Sequence, residues 1–173
     1  VMLRFENYCA DPVELGPDGL PARSSHGGYD LKSVRAAAEA HGIPREDVAI
    51  DCLVMAAATN QDEVREILRA VTLVKERLGV RTVLGVSNVS FGLPARPLVN
   101  STFLAAAFGA GLDMPILNPL NVRYRDTVAT FRILNGQDTG CRAFLEAYAN
   151  ASDPYEVAAG STPVGGDLGR PSA

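Results

Sequence analysis

Three polar features punctuate an otherwise apolar pattern. Asp51 stands inside the run Val48 to Val54 (VAIDCLV). The segment Gly85-Val86-Ser87-Asn88-Val89-Ser90-Phe91-Gly92 overlaps and follows the run beginning at Arg81 (RTVLGV), and Asn118-Pro119 closes the run beginning at Asp113 (DMPILN). A carboxylate can accept two parallel hydrogen bonds from a planar N–H fork, such as that of an aminopyrimidine ring. A neutral side-chain amide donates a hydrogen bond without competing for protons. That suits a site that must steady a weakly basic nitrogen as it gains charge. Arg96 lies eight residues past Asn88 in a Pro-flanked loop, and its guanidinium fork fits an acidic or aromatic ligand tail. Each feature also has a plainer reading. A buried carboxylate is costly unless paired, so Asp51 could simply bond backbone amides or a basic neighbour. Ser87 and Asn88 could form a turn or cap through local backbone bonds, and Arg96 could be a solvated loop residue.

Other chemistries find no support. The cysteines are Cys9, Cys52 and Cys141, widely spaced and without a CxxC pair, and neither His26 nor His41 falls at ligand spacing from them. No metal site or disulfide framework is expected. Cys52 alternates to the opposite face from Asp51 and reads as a core thiol. Gly85-Val86-Ser87-Asn88 lacks the second glycine of a nucleophile elbow. Asn100 and Ser101 read as caps of the helix that follows the Pro-rich loop.

The surrounding pattern supplies elements to position these groups. A short strand is expected over residues 1–8, loop from Cys9 to Gly28, and a helix capped by Asp30 and running to about His41. Val48–Val54 has the continuous apolar character of a strand buried on both faces. Asn60 and Glu63 form a capping-box pattern. They open an amphipathic helix in which Val64, Ile67, Leu68, Val71, Val74 and Leu78 keep a helical period. Strand Arg81–Val86, helix Leu98–Gly109, strand Asp113–Asn118, helix Asn121–Leu134 and helix Cys141–Ala149 follow. The order β-α-β-α-β-α predicts an α/β fold, a parallel sheet with outer helices. Sites in such sheets gather at the carboxyl ends of strands, where all the singled-out residues fall. Residues 1–150 form the structured domain in this reading. Residues 151–173, rich in Gly, Pro and small side chains, read as a flexible tail or interdomain linker.

Composition narrows the partners. The 16 Lys and Arg against 20 Asp and Glu leave a net charge of -4, which provides no electrostatic footprint for nucleic acid. No apolar run approaches the roughly 20 residues of a membrane-spanning helix. The start, Val1-Met2-Leu3-Arg4-Phe5, does not read as a signal peptide, and a cytoplasmic location is expected.

The runs GIPREDVAIDCLVM and TVLGVSNVSFGLPARPLVNSTFLAAAFGAGLDMPILNP resemble the pterin-binding methyltransferases. The nearest likeness is to the methyltetrahydrofolate-binding domains of cobalamin-dependent methionine synthases. The resemblance covers about Asp30 to Ala149. It implies a (βα)8 TIM barrel, the architecture shared with dihydropteroate synthase, with the pterin lying across the barrel mouth. The family's strand aspartate falls on Asp51. Its Ser-Asn pair falls on Ser87 and Asn88, the asparagine bonding the nitrogen that carries the methyl group. Its loop arginine, near the rest of the folate, falls on Arg96, and Gly85 falls where backbone approaches the pterin. Asn118 joins them at the rim. The implied reaction moves the methyl group of methyltetrahydrofolate to the cobalt of a cobalamin or corrinoid. That carrier belongs to another domain or protein, because no Asp-x-His-x-x-Gly motif is present here. Dihydropteroate synthases carry a basic Ser-Arg-Lys type motif where this chain has Ser87-Asn88-Val89, which disfavours that activity.

A βα barrel takes about 250 residues, and this sequence has 173. The family's upstream acidic residue and asparagine, from its first strands, have no counterpart. The expectation is therefore the C-terminal half of a barrel: a fragment, a split-gene product, or a subunit completed by an N-terminal half or by another copy. The competing expectation is a non-catalytic piece that binds a partner chain through open sheet edges.

Overall fold

The computed structural model describes residues 31–152. The predicted strand at 1–8, the loop Cys9–Gly28, the Asp30 cap and residues 153–173 of the predicted tail lie outside them. Helix α1 (Leu31–Ala40) is followed by a glycine turn at Gly42 and a 3-10 turn at Arg45–Asp47. Strand β1 (Ala49–Asp51) comes next. From Ala49 to Met55 exposure alternates: Ile50, Cys52 and Val54 are buried, while Asp51, Leu53 and Met55 are exposed. This is the period of a strand with one covered face. It corrects the expectation that VAIDCLV is buried on both sides, and it puts Asp51 on the open face.

Helix α2 (Gln61–Leu73) buries Ile67, Ala70, Val71 and Leu73. It widens into a π turn at Val74–Leu78 and stops at Gly79, whose φ of 63° is the left-handed conformation glycine adopts freely. The capping box does not form. Asn60 accepts the Glu63 N–H through its backbone carbonyl, and its side-chain amide instead donates to Thr59 Oγ1 at 2.9 Å. Its φ of -144° and ψ of 61° are not the usual extended geometry of a capping residue.

Strand β2 (Arg81–Gly85) runs into a 3-10 turn at Val86–Ser90. Helix α3 (Arg96–Gly109) begins two residues before the expected Leu98. Strand β3 (Met114–Ile116) leads to helix α4 (Val122–Leu134), capped by Asn121 Oδ1 accepting the Arg123 N–H at 3.1 Å. Helix α5 (Arg142–Tyr148) follows. Asn100 and Ser101 lie inside α3 and are buried, not at its start. Asn100 donates to the Tyr124 hydroxyl at 2.7 Å, and Ser101 donates to the Leu98 carbonyl one turn back, so neither caps the helix.

The strands are parallel and lie in the order β1-β2-β3, as the alternating pattern predicts. Asp51 stands opposite Val83, and Gly85 opposite Ile116. One sheet face packs Ile50, Leu84 and Val86 against Ile67, Val71 and Val74 of α2 and its extension, and against Phe103, Leu104 and Ala107 of α3. The other face has no described element over it: Leu53 is 60% exposed and Ile116 61%. Doubly wound sheets carry helices on both faces. The described strands instead run in sequence order, with the helices that pack on them on one face.

At the amino ends of the strands, Asp113 ties α2's extension to β2. Lys75 Nζ lies 2.9 Å from both Asp113 oxygens, and Asp113 Oδ2 accepts the Thr82 N–H at 2.8 Å. The buried Thr82 hydroxyl accepts the Asp113 N–H. Gly111, at φ 104°, lets the Lys75 stem pass where a Cβ would stand 3.0 Å from Lys75 Cγ.

Candidate functional site

The opposite, carboxyl ends of the strands carry the residues expected to do chemistry. The 3-10 turn after β2 shows how its sequence works. Side chains three apart eclipse in such a turn. Val86 and Val89 accordingly anchor it, at 0% and 2% exposure, and Ser87 and Asn88 are left half-buried on the rim. Asn88 folds back over the strand end: a Cβ on Gly85 would stand 3.1 Å from its Nδ2. Gly85 is thus where backbone is approached closely, here by the asparagine itself. Among the described residues, the Asn88 side-chain amide has no hydrogen-bond partner.

Asp51 ends the neighbouring strand. Its Oδ1 accepts the Leu53 N–H at 2.9 Å, and the rest of the carboxylate is free on the exposed face. Leu53 has a φ of 51°, a conformation that costs a non-glycine residue about 1–3 kcal/mol and that collects at functional sites. The plainer reading, a carboxylate bonded to backbone, is therefore realised by one oxygen. Cys52, on the other face, is buried. Desolvation first, and then the Asp51 charge, push its thiol up to about 12. It is a core thiol, as its alternation with Asp51 predicts.

Asn118 follows β3 and is exposed at the strand end, where its Oδ1 accepts the Leu120 N–H at 3.0 Å in a local turn. That leaves its NH2 group on the rim. The two upper loops are joined by the Ala57 N–H donating to the Val89 carbonyl at 2.9 Å. The structure therefore brings Gly85, Ser87, Asn88 and Arg96 together around one turn. Asp51 and Asn118 occupy the ends of the flanking strands, with no bond to that group.

Arg96 is not a loop residue; it opens α3. Its Nε donates to Ser90 Oγ at 2.9 Å, its Nη2 donates to the Ser87 carbonyl at 3.0 Å, and its guanidinium lies 4.7 Å over the Phe91 ring. Ser90 and Phe91 were not singled out by sequence reasoning. Both stand in the GVSNVSFG run, yet nothing in their spacing says that a residue six positions past Ser90 turns back onto them. Among the described residues, no cluster of His, Cys, Asp and Glu could hold a metal, and no helix is long and apolar enough to cross a membrane.

A family profile described as pterin binding enzyme matches residues 28–118. The chain is similar to the methionine synthase of Mycobacterium leprae, 42% identical over 84 residues, which are 44% of this chain and 7% of that protein. It is 40% identical over 84 residues to the Mycobacterium tuberculosis methionine synthase, again 44% of this chain and 7% of that protein. It is also similar to a methylcorrinoid:tetrahydrofolate methyltransferase of Eubacterium limosum, 28% identical over 112 residues, which are 64% of this chain and 41% of the relative. The matched segments thus span 7% of each methionine synthase and 41% of the methylcorrinoid:tetrahydrofolate methyltransferase.

Proposed function

The chain belongs to the pterin binding enzymes, and from that premise we propose that it binds methyltetrahydrofolate at the carboxyl ends of β1–β3 and serves transfer of its methyl group to a corrinoid. Its strands are the C-terminal part of a (βα)8 barrel in this reading. The supporting observation is the unpartnered amide of Asn88, held against Gly85 between the strand ends that bear Asp51 and Asn118.

The free oxygen lone pairs of Asp51 suit the two N–H donors of an aminopyrimidine edge. Ser87 and the Gly85 backbone line the adjoining wall, and the Asn118 NH2 completes the rim. Methyltetrahydrofolate is a weak methyl donor because its leaving group is an amine anion. Asn88, the catalytic residue here, donates to the methylated nitrogen, and its bond strengthens as negative charge develops there. A donor that gains strength in the transition state raises the rate and not only the affinity. A corrinoid carried by another domain or protein would supply the cobalt(I) that takes the methyl group, while the N–C bonding pair stays on the nitrogen, which takes its proton from solvent. The described residues provide no ligand set for it. The names of the methionine synthase and methylcorrinoid relatives support this pairing.

Calorimetric titration with methyltetrahydrofolate tests the proposal, on the chain alone and on the chain mixed with a complementing N-terminal barrel half. Saturable binding in the complemented form is expected. No binding there would overturn the reading.

A second reading rests on the open sheet face: the chain completes a barrel with a partner without doing chemistry itself. Stoichiometric assembly with the N-terminal half, combined with no methyl transfer, would favour it.

A further inference from the structure

Arg96 turns two of its five N–H donors onto the protein. Nε donates to Ser90 Oγ at 2.9 Å, and Nη2 donates to the Ser87 carbonyl at 3.0 Å. Ser90 Oγ, fully buried at 0% exposure, in turn donates to the same Ser87 carbonyl at 3.2 Å. One carbonyl therefore takes two bonds from one clamp, and the clamp's charge rests 4.7 Å above the Phe91 ring. That carbonyl belongs to the peptide unit joining Ser87 to Asn88. Fixing its direction fixes the plane from which Asn88 starts.

The backbone supports the same arrangement. Ala95, immediately before Arg96, has a φ of 49°, left-handed and strained for alanine, and Pro97 follows. The chain thus turns sharply into α3 at the point where Arg96 must reach back to Ser87 and Ser90. A planar fork spanning an acceptor hydroxyl and an acceptor carbonyl is a geometry that lysine does not reproduce.

We propose that Arg96 is a positioning residue, acting with Ser90 to hold the Ser87–Asn88 peptide so that the Asn88 amide points at the methylated nitrogen. This deepens the methyltetrahydrofolate reading and rests on it for the identity of that nitrogen. The clamp itself can be tested without any ligand. The assignment differs from a direct contact between Arg96 and the substrate tail: Arg96 acts on the rate through Asn88.

Two measurements on the full chain decide it. The first is the NMR spectrum of the Asn88 backbone and side-chain amides in Arg96→Ala, Arg96→Lys and Ser90→Ala, with melting followed by circular dichroism as the check on folding. All three variants are expected to shift or broaden the Asn88 signals, with Ser90→Ala the smallest effect and Arg96→Lys no rescue. Folded variants with unmoved Asn88 signals would overturn the clamp. Should Arg96→Ala not fold, the Asn88 signals of Arg96→Lys and Ser90→Ala decide the question in its place.

The second is methyl transfer to a free corrinoid by the chain complemented with the N-terminal half. Arg96→Ala is expected to lower the maximal rate about tenfold, the scale of a modest misplacement of a reacting group. Methyltetrahydrofolate affinity should change less than about threefold, since the clamp acts on the transition state. In an Asn88→Ala background, Arg96→Ala should have no further effect, because residues acting as a unit are non-additive. A loss confined to affinity, and undiminished in the Asn88→Ala background, would assign Arg96 to substrate contact instead. Absence of binding by the unsubstituted complemented chain would overturn the methyltetrahydrofolate reading while leaving the NMR result to decide the clamp.

Discussion

Asn88 and Gly85 act as a pair. The strand end needs no glycine for its own backbone, since Gly85 has a φ of -75° that any residue adopts. It needs one for the asparagine, whose Nδ2 would stand 3.1 Å from an added Cβ. Gly85→Ala is therefore expected to fold with little change in melting temperature while displacing the Asn88 amide. Its methyltetrahydrofolate binding and transfer should both fall, as measured by calorimetry and by corrinoid methylation. Asn88→Ala should behave differently. Loss of one donor aimed at developing charge removes on the order of 10²- to 10³-fold of rate, with a much smaller loss of binding. Equal losses of rate and binding would remove its leaving-group role. The place of Asn88 after a strand, with an amide able to donate, was legible from residue type and position. The need for Gly85 as clearance was not, because no local pattern says which way a side chain folds back.

The elements hold the site from beneath. Burial pushes the Asp113 carboxyl up, but the Lys75 hydrogen bond and charge and the Thr82 N–H and hydroxyl together outweigh it and hold it below its ordinary value. A carboxyl lowered on folding stabilises the protein above its unfolded value, near ~4, and that contribution is lost as pH falls through the lower folded value. Melting temperature followed from pH 7 downward should thus fall below about pH 4 in the unsubstituted chain. Asp113→Asn should be less stable near neutral pH and should close the gap as the medium becomes acid. A gap independent of pH would show that the ion pair with Lys75 contributes little. This latch lies at the amino ends of β2 and β3, the stability end of such a sheet, so Asp113→Asn should leave methyltetrahydrofolate affinity unchanged. The core above it is less forgiving. Leu84, fully buried between α2 and α3, should lose about 2–5 kcal/mol on replacement by alanine, read as a shift in the urea midpoint.

At the scale of the whole molecule, the sheet has an uncovered face and, among the described residues, two unpaired edges, along β1 and β3. Open edges and exposed apolar side chains invite pairing with another chain. Leu53 and Ile116 on that face would become interior in a closed barrel. Light scattering on the chain mixed with a complementing N-terminal half is expected to show a one-to-one complex. Ile116→Asp should weaken that complex while leaving the helical circular dichroism of the chain intact. A chain that stays monomeric in the mixture would count against barrel closure.

The order of the elements, the parallel sheet, the core thiol of Cys52 and the strand-end placement of Asp51, Asn88 and Asn118 were all readable in the sequence by itself. Each follows from short-range periodicity, which burial of one strand face or one helix face imposes on neighbouring residues. What only the tertiary structure decided depends on contacts between residues whose spacing carries no period. Asp51 turned out exposed because nothing described packs on that face of β1. Asn60 left its capping box because its side chain bonded Thr59. Arg96 became the clamp of the Ser87–Asn88 peptide because the left-handed turn at Ala95 swings the start of α3 back over the end of β2. Hydrophobic pattern records which face is buried, while the direction in which a polar side chain reaches is settled only when the elements around it are in place.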